Sequence, residues 1–166
     1  MNNLHNATKI RTFSGRMMDV FNPEPDMICI EDIAHALSNL CRFGGHTSEF
    51  YSVAQHSVMC ASLVPEKYRL DALLHDATEA YMLDIPSPIK RQLPGYSEAE
   101  DKLMQIIADK FGVQFPFDKS VKIADRETLE YEYQHHVLSS SPCSAWKLEL
   151  AKQVFLEKFN EYSHGR

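Results

Sequence analysis

Long apolar runs, paired cysteines and an excess of positive charge are all missing from this sequence, and each absence removes a class of protein. No apolar stretch approaches the ~18 residues that a membrane-spanning helix needs. The opening MNNLHNATKIRTF lacks the long apolar core of a signal peptide. Cys29, Cys41, Cys60 and Cys143 form no CxxC pair, which argues against a zinc knuckle or a dithiol redox motif. A reduced, cytoplasmic chain is therefore expected, with Cys41 and Cys60 on helical apolar stripes as small buried hydrophobes. Lysine and arginine number 17 against 23 aspartates and glutamates, a net charge of -6. That balance argues against a general nucleic-acid binder, which must neutralise phosphates. A small anionic substrate remains compatible with it, because a few lysines or one metal ion override the global field locally.

What is present is a chain of 166 residues, 44% of them hydrophobic, enough for one globular domain over 1–166 and too short for two. Residues 8–28 read as a short β-hairpin and a loop: KIRTF, a Ser14-Gly15 turn, RMMDVF, then the breakers Pro23 and Pro25. Helical signals dominate the rest. Ile30, Ile33, Ala34, Leu37, Leu40 and Cys41 recur at three and four residues, with Gly44-Gly45 as the stop. A second helix spans about Ser52 to Leu63, opened by a Ser52/Gln55 capping box and stopped by Pro65. A third runs from about Glu66 to Met82, where Pro86 and Pro88 forbid continuation. A fourth starts with a Ser97/Glu100 capping box and ends at Gly112. Pro116 and Asp118 introduce a fifth, to about Leu138, and a sixth covers about Ala145 to Tyr162. The expected fold is all-α, a single helical bundle with a small N-terminal β-hairpin.

Four residues are polar where a helix should be apolar. His56 shares a stripe with Met59, Cys60 and Leu63, and Asp125 lies one turn from both Val121 and Leu129. His75 and Asp76 sit inside the apolar segment ALLHDATEAY. A carboxylate in a core must find a cation or take up a proton, and one divalent ion satisfies two imidazoles and two carboxylates together. Such a nitrogen and oxygen set suits Zn, Co or Mn, with Mg and Fe also open, and leaves positions for water and a substrate oxygen. Glu79, four residues after His75 and three after Asp76, falls on the same side of the expected helix, where a carboxylate can perform general acid–base work.

The order His56 … His75-Asp76 … Asp125 resembles the H…HD…D signature of the HD-domain metal phosphohydrolases. The string HDATEAYMLDIPSPIKR at 75–91, with LSNLCRFGGHTSEFYSVAQHS at 37–57, resembles the small branch of bacterial 5′-deoxynucleotidases, their prophage relatives and phage dATP triphosphohydrolases. The resemblance covers about residues 8–132. It implies one divalent transition metal on His56, His75, Asp76 and Asp125, and Glu79 as the catalytic carboxylate. Arg42, fourteen residues before His56, stands where the family contacts phosphate, and its planar fork fits phosphate oxygens. Phe43 takes a position often held by Trp against the sugar, and Asp84 matches a carboxylate that reads the deoxyribose hydroxyl. The implied reaction cleaves the phosphate–5′-oxygen bond and releases a deoxynucleoside. The implied assembly is a homo-oligomer, a dimer or a larger ring.

Lys90 and Lys122 extend this reading: with Arg42 they supply the charge a triphosphate requires, which tilts the expectation toward a dATP-type triphosphohydrolase over a dNMP 5′-nucleotidase. Each residue also has a plainer reading. A lone His56 is a core histidine, Glu79 a solvated helix glutamate, Asp84 a turn carboxylate, Arg42 a helix C-terminal cation, Phe43 core, and the two lysines a solvated face. His135 and His136 are about 100° apart on a helix and make a poor joint metal site, and His46 sits near enough in sequence to Arg42 to line the same pocket. Leu148, Ala151, Phe155 and Phe159 look like packing, with Trp146. Two other functions fit an HD scaffold. A cyclic or signalling-nucleotide phosphodiesterase often needs further histidines, and none lies between Asp76 and Asp125. A non-catalytic regulatory module usually loses ligands that are all present in this sequence.

Overall fold

The structure, a computed structural model, describes residues 8–139 and 145–165. Cys143 and most of the SSSPCS segment lie outside them. The chain opens with a two-stranded antiparallel hairpin, β1 (Ile10–Arg11) against β2 (Met17–Met18), in the register Ile10 to Met18 and Arg11 to Met17. Gly15, at φ 92°, makes the turn that a Cβ would resist. Asp32 fastens this hairpin to the first helix. It is buried, and its carboxylate accepts the Ser14 N–H at 2.6 Å, the Ser14 hydroxyl at 2.8 Å and the Cys29 thiol at 3.1 Å.

α1 (Ile30–Asn39) buries Ile33, Ala34 and Leu37 and packs on α2 (Val53–Leu63) and α8 (Leu148–Ser163). It stops before the expected Gly44-Gly45. Cys41 is not on its stripe: it forms an isolated antiparallel bridge with Ser52, and Arg42 N–H reaches Tyr51 O at 2.8 Å. The chain turns back here because α2 must lie against α1, and the bridge supplies partners for backbone groups that leave the helix. The tight turn Arg42–Gly45 holds Phe43 at φ 56° and Gly44 at φ 61°.

α2 is the central helix. The Ser52 side chain caps it by accepting the Gln55 N–H at 3.1 Å, while Gln55 Oε1 accepts Trp146 N–H at 2.8 Å. Val53, Ala54, His56, Cys60 and Ala61 are buried, whereas Leu63, expected inside, is 55% exposed where the helix runs out toward Pro65.

The expected helix from Glu66 to Met82 is broken. A 3₁₀ turn (Glu66–Tyr68) leads into α3 (Arg69–Leu73), residues 74–78 are turns, and α4 covers Glu79–Met82. Leu70, Leu73, Leu74 and Ala77 are all buried, so the apolar periodicity is real, but it spans a break rather than one rod. α5 (Ser87–Lys90) begins at Pro86 and Pro88, which suit a first helical turn as well as they end the preceding one.

α6 (Tyr96–Phe111) starts after Gly95 in the left-handed conformation and ends at Gly112 as expected. The Ser97/Glu100 capping box does not form. Ser97 is already inside the helix, and Glu100 pairs with Lys90 at 2.7 Å. α7 (Lys119–Glu132), capped by Asp118, passes into a π-helical turn (Tyr133–Leu138). α8 begins three residues later than Ala145. Ala151 and Phe155 are fully buried against the bundle, and Phe159 packs partly buried against the core. The described residues are thus mostly helical with one small hairpin, and no helix among them is long and apolar enough to cross a membrane.

Candidate metal centre

α2, the 74–78 break and α7 meet at one point beneath the bundle surface. His56 Nε2 lies 3.4 Å from His75 Nε2, 3.5 Å from Asp76 Oδ2 and 3.2 Å from Asp125 Oδ1. His75 Nε2 lies 3.3 Å from Asp76 Oδ2 and 3.7 Å from Asp125 Oδ1. Donors bonded to one ion at about 2.1 Å sit about 3.0 Å apart at octahedral angles and about 3.4 Å apart at tetrahedral angles. Three of the five observed spacings fall in that interval and the other two, 3.5 and 3.7 Å, lie just beyond it, so the donors stand close to the spacing of one coordination shell.

Hydrogen bonding fixes which ring nitrogen faces that point. His75 Nδ1 lies 2.7 Å from Ala72 O, a carbonyl that can only accept, so Nδ1 carries the proton and Nε2 is bare when the ring is neutral. His56 Nδ1 lies 2.8 Å from Glu132 Oε1 in the same arrangement. Two lone pairs and two carboxylate oxygens therefore confront one another, with the weak Cys60 S–H at 3.4 Å from His56 Nε2 beside them, a set that fits a divalent cation. In the absence of such a cation, protons take its place. Burial opposes charge on His75, but Asp76 and Asp125 outweigh it and push its pKa up to about 9. Burial and Arg42 oppose charge on His56, yet Asp125, Cys60 and Glu132 raise it. Burial works to raise Asp125, and the two histidines hold it well below the usual carboxylate range.

The break at 74–78 corrects the expected geometry. His75, Asp76 and Glu79 do not share a continuous helix face; the turns aim His75 and Asp76 at the centre, and Glu79 starts α4. Asp125 sits at the mouth with its side chain 44% exposed, and Leu129, expected inside, is exposed at the pocket wall. An accessible side of this kind is what a substrate requires.

That mouth opens into a cleft of about 510 Å³. Glu79 lines it, is 6% exposed, and its Oε2 has no hydrogen-bond partner. Burial, then Asp76 and Asp84, raise its pKa well above the ordinary range, which favours the neutral carboxyl. Arg42, Phe43, Asp84 and Lys90 line the same cleft. Arg42 is buried: Nε and Nη2 each lie 3.2 Å from Glu132 Oε2, and Nη1 lies 3.6 Å from Asp84 Oδ2. Burial opposes its charge, and Glu132 with the cleft carboxylates restores it. Phe43 lies beneath the guanidinium at 5.5 Å.

Two expectations about the cleft are corrected. Lys122 is exposed and is not part of the lining, because α7 turns Val121, Ala124, Thr128 and Glu132 inward and leaves Lys122 on the solvent side. His46 is likewise exposed and absent from the lining. Arg91, which the sequence reading passed over, lines the cleft instead. Glu132 was also passed over. It is fully buried and joins His56 to Arg42. Its signal was present in the sequence, since Val121, Ala124, Thr128 and Glu132 recur at three and four residues, the pattern that drew attention to Asp125.

These features define an α-helical protein carrying a candidate divalent-metal centre at the base of a charged cleft. No family model matches the chain. It is 51% identical over 172 residues to the uncharacterized protein YfdR of Escherichia coli, an alignment covering 95% of this chain and 97% of the relative. It is 37% identical over 136 residues to an uncharacterized protein of Rhodobacter capsulatus, covering 74% of this chain and 69% of that one. The chain belongs to the YfdR family.

Proposed function

We propose that this protein is a metal-dependent phosphohydrolase of the HD-domain kind that cleaves the phosphate–5′-oxygen bond of a deoxynucleotide. The observation that carries the reading is the convergence of His56, His75, Asp76 and Asp125 donor atoms in 3.2–3.7 Å contacts beside a buried Glu79 whose Oε2 has no hydrogen-bond partner. A divalent ion held there supplies Lewis acidity, activating water and polarising a phosphoryl oxygen.

The chain's own groups supply the rest. Arg42 presents its remaining N–H donors to the phosphate while Glu132 keeps the guanidinium from rotating. Phe43 walls the sugar, and Asp84 accepts a sugar hydroxyl. As water adds to phosphorus and the P–O5′ bond breaks, Glu79 delivers its proton to the leaving 5′ oxygen, and the deoxynucleoside departs neutral. The cleft is tuned for this by position and charge rather than by a covalent intermediate.

The cation placement favours a monophosphate over a triphosphate. Lys122 faces solvent and Lys90 is bound to Glu100 at 2.7 Å, which leaves Arg42 and Arg91 as the cleft cations for a phosphate, fewer than the charge of a triphosphate calls for. The test is a panel of dNMPs, dNDPs and dNTPs assayed with Mn, Co, Zn and Mg after chelation, with phosphorus NMR of the products. Orthophosphate from dNMPs is expected, and Glu79→Gln should lower kcat by ~10²–10⁴-fold, the usual worth of a general acid. Absence of hydrolysis with every metal would remove the proposal, and tripolyphosphate from dNTPs alone would restore the triphosphate reading.

A further inference from the structure

Cys60 lies on α2 one helical turn beyond His56 and is fully buried. Spacing of four residues places the two side chains over the same spot. Cys60 Sγ is 3.4 Å from His56 Nε2, the nitrogen that faces the metal centre. The donor atoms of His56, Cys60, His75 and Asp125 all lie within 4.8 Å of one another. A buried cysteine ordinarily serves as a small hydrophobe. This one instead abuts the bare nitrogen of His56 at the point on which His75 and Asp125 also converge.

Two donor sets therefore overlap. One holds Asp76, the other Cys60, and both contain His56, His75 and Asp125. An ion bonded to sulfur at about 2.3 Å and nitrogen at about 2.1 Å holds those atoms about 3.1–3.6 Å apart between right-angle and tetrahedral geometry. The 3.4 Å observed falls inside that interval. We propose that Cys60 is a direct thiolate ligand of the ion, alongside His56, His75 and Asp125, whose donor atoms lie within 4.8 Å of its own. On loading, the metal–sulfur bond forms, the S–H bond breaks, and the proton leaves to solvent, with no change of oxidation state.

The consequence is metal choice. A thiolate favours Zn, Co or ferrous iron and disfavours Mg and Mn, which prefer all-oxygen or oxygen-rich shells. The inference rests on the reading of this cluster as a metal centre, and the experiment separates the two.

The 166-residue chain is stripped with chelator, loaded with Co(II), desalted and examined by elemental analysis and absorption spectroscopy. A sulfur-to-cobalt charge-transfer band in the near-ultraviolet, beside d–d bands in the visible, is expected. Cys60→Ser should lose the charge-transfer band and keep the d–d bands, while Cys41→Ser keeps both. Zn affinity of Cys60→Ser should fall at least about tenfold, the lower end of what even an outer-shell partner contributes, with Mg affinity unchanged. Circular dichroism confirms the variant's fold, and Cys60→Ala repeats the measurement if serine disturbs it. Bound cobalt with d–d bands but no charge-transfer band, or a band that survives in Cys60→Ser, overturns the assignment of Cys60 and leaves the metal centre standing. Cobalt lost on desalting overturns both.

Discussion

Glu132 and His56, 76 positions apart in sequence, share a hydrogen bond of 2.8 Å in which both side chains are fully buried. The other carboxylate oxygen of Glu132 takes Nε and Nη2 of Arg42. One acid thus sets the tautomer of a candidate metal ligand and the aim of the cleft arginine. Burial disfavours its charge, but His56 and Arg42 hold its pKa below the usual value. The π-helical turn that follows Glu132 is a local widening of the kind that recurs at functional sites.

Replacing Glu132 therefore has two separable effects. Glu132→Gln keeps shape but loses charge, and metal affinity should fall ~10–100-fold, as for other partners of ligating histidines. Glu132→Ala also takes from the buried Arg42 its two contacts at 3.2 Å, leaving Asp84 at 3.6 Å, and should cost about 3 kcal/mol of stability. Competition against a chromophoric chelator reads the first and urea denaturation the second. Unchanged metal affinity in Glu132→Gln would show that His56 needs no such support.

Asp32 gives the stability a definite pH dependence. Burial raises its pKa, but hydrogen bonds from Cys29 and Ser14 outweigh it and leave the value below the ordinary 3.8. A depressed carboxylate contributes stability that is whole above its unfolded value and is lost as the pH falls through the folded one. Asp32→Asn should be about 1–3 kcal/mol less stable at pH 7. The gap should narrow below pH 3.8. Denaturation curves of both proteins from pH 7 to pH 3 decide this, and a constant gap contradicts it.

Leu83, beside the cleft residue Asp84, adopts φ 71° and ψ 154°, a region that only glycine enters readily. Its side chain is 59% exposed, so little packing is lost on truncation. Leu83→Gly should stabilise the fold by roughly 1 kcal/mol, the relieved strain exceeding glycine's entropy cost. A loss of stability would mean that Leu83 is not strained.

Arg91 lines the cleft and Lys122 does not. Arg91→Ala should raise KM for the hydrolysed nucleotide about tenfold, equivalent to one charge-assisted hydrogen bond. Lys122→Ala, on the solvent face, should leave KM within about twofold. Steady-state kinetics at fixed ionic strength distinguishes them, and the reverse order would relocate the phosphate-binding side of the cleft.

Much of the architecture is written in local pattern. The hairpin turn at Ser14-Gly15, the cap at Ser52, the stops at Pro65 and Gly112 and the start at Asp118 follow from backbone chemistry that a few neighbouring residues settle. The four polar residues on apolar stripes were visible for the same reason, since helical period alone marks them as misplaced. The same logic overreached at Glu66–Met82, where periodicity continued through turns and concealed the break that aims His75 and Asp76.

Local pattern alone is enough to mark a mostly helical chain and to single out His56, His75, Asp76 and Asp125 as candidates for one centre. It takes the folded contacts to reveal that Glu132 stands behind His56 and Arg42, that Cys60 faces the donors rather than plain core, and that Arg91 rather than Lys122 borders the cleft. The reason is range: periodicity reports a residue's neighbours within a turn or two, whereas Glu132 acts across 76 and 90 positions on His56 and Arg42. Cysteine adds an ambiguity of its own, because a small buried hydrophobe and a metal thiolate leave the same mark on a helix until the opposing donors are brought into place.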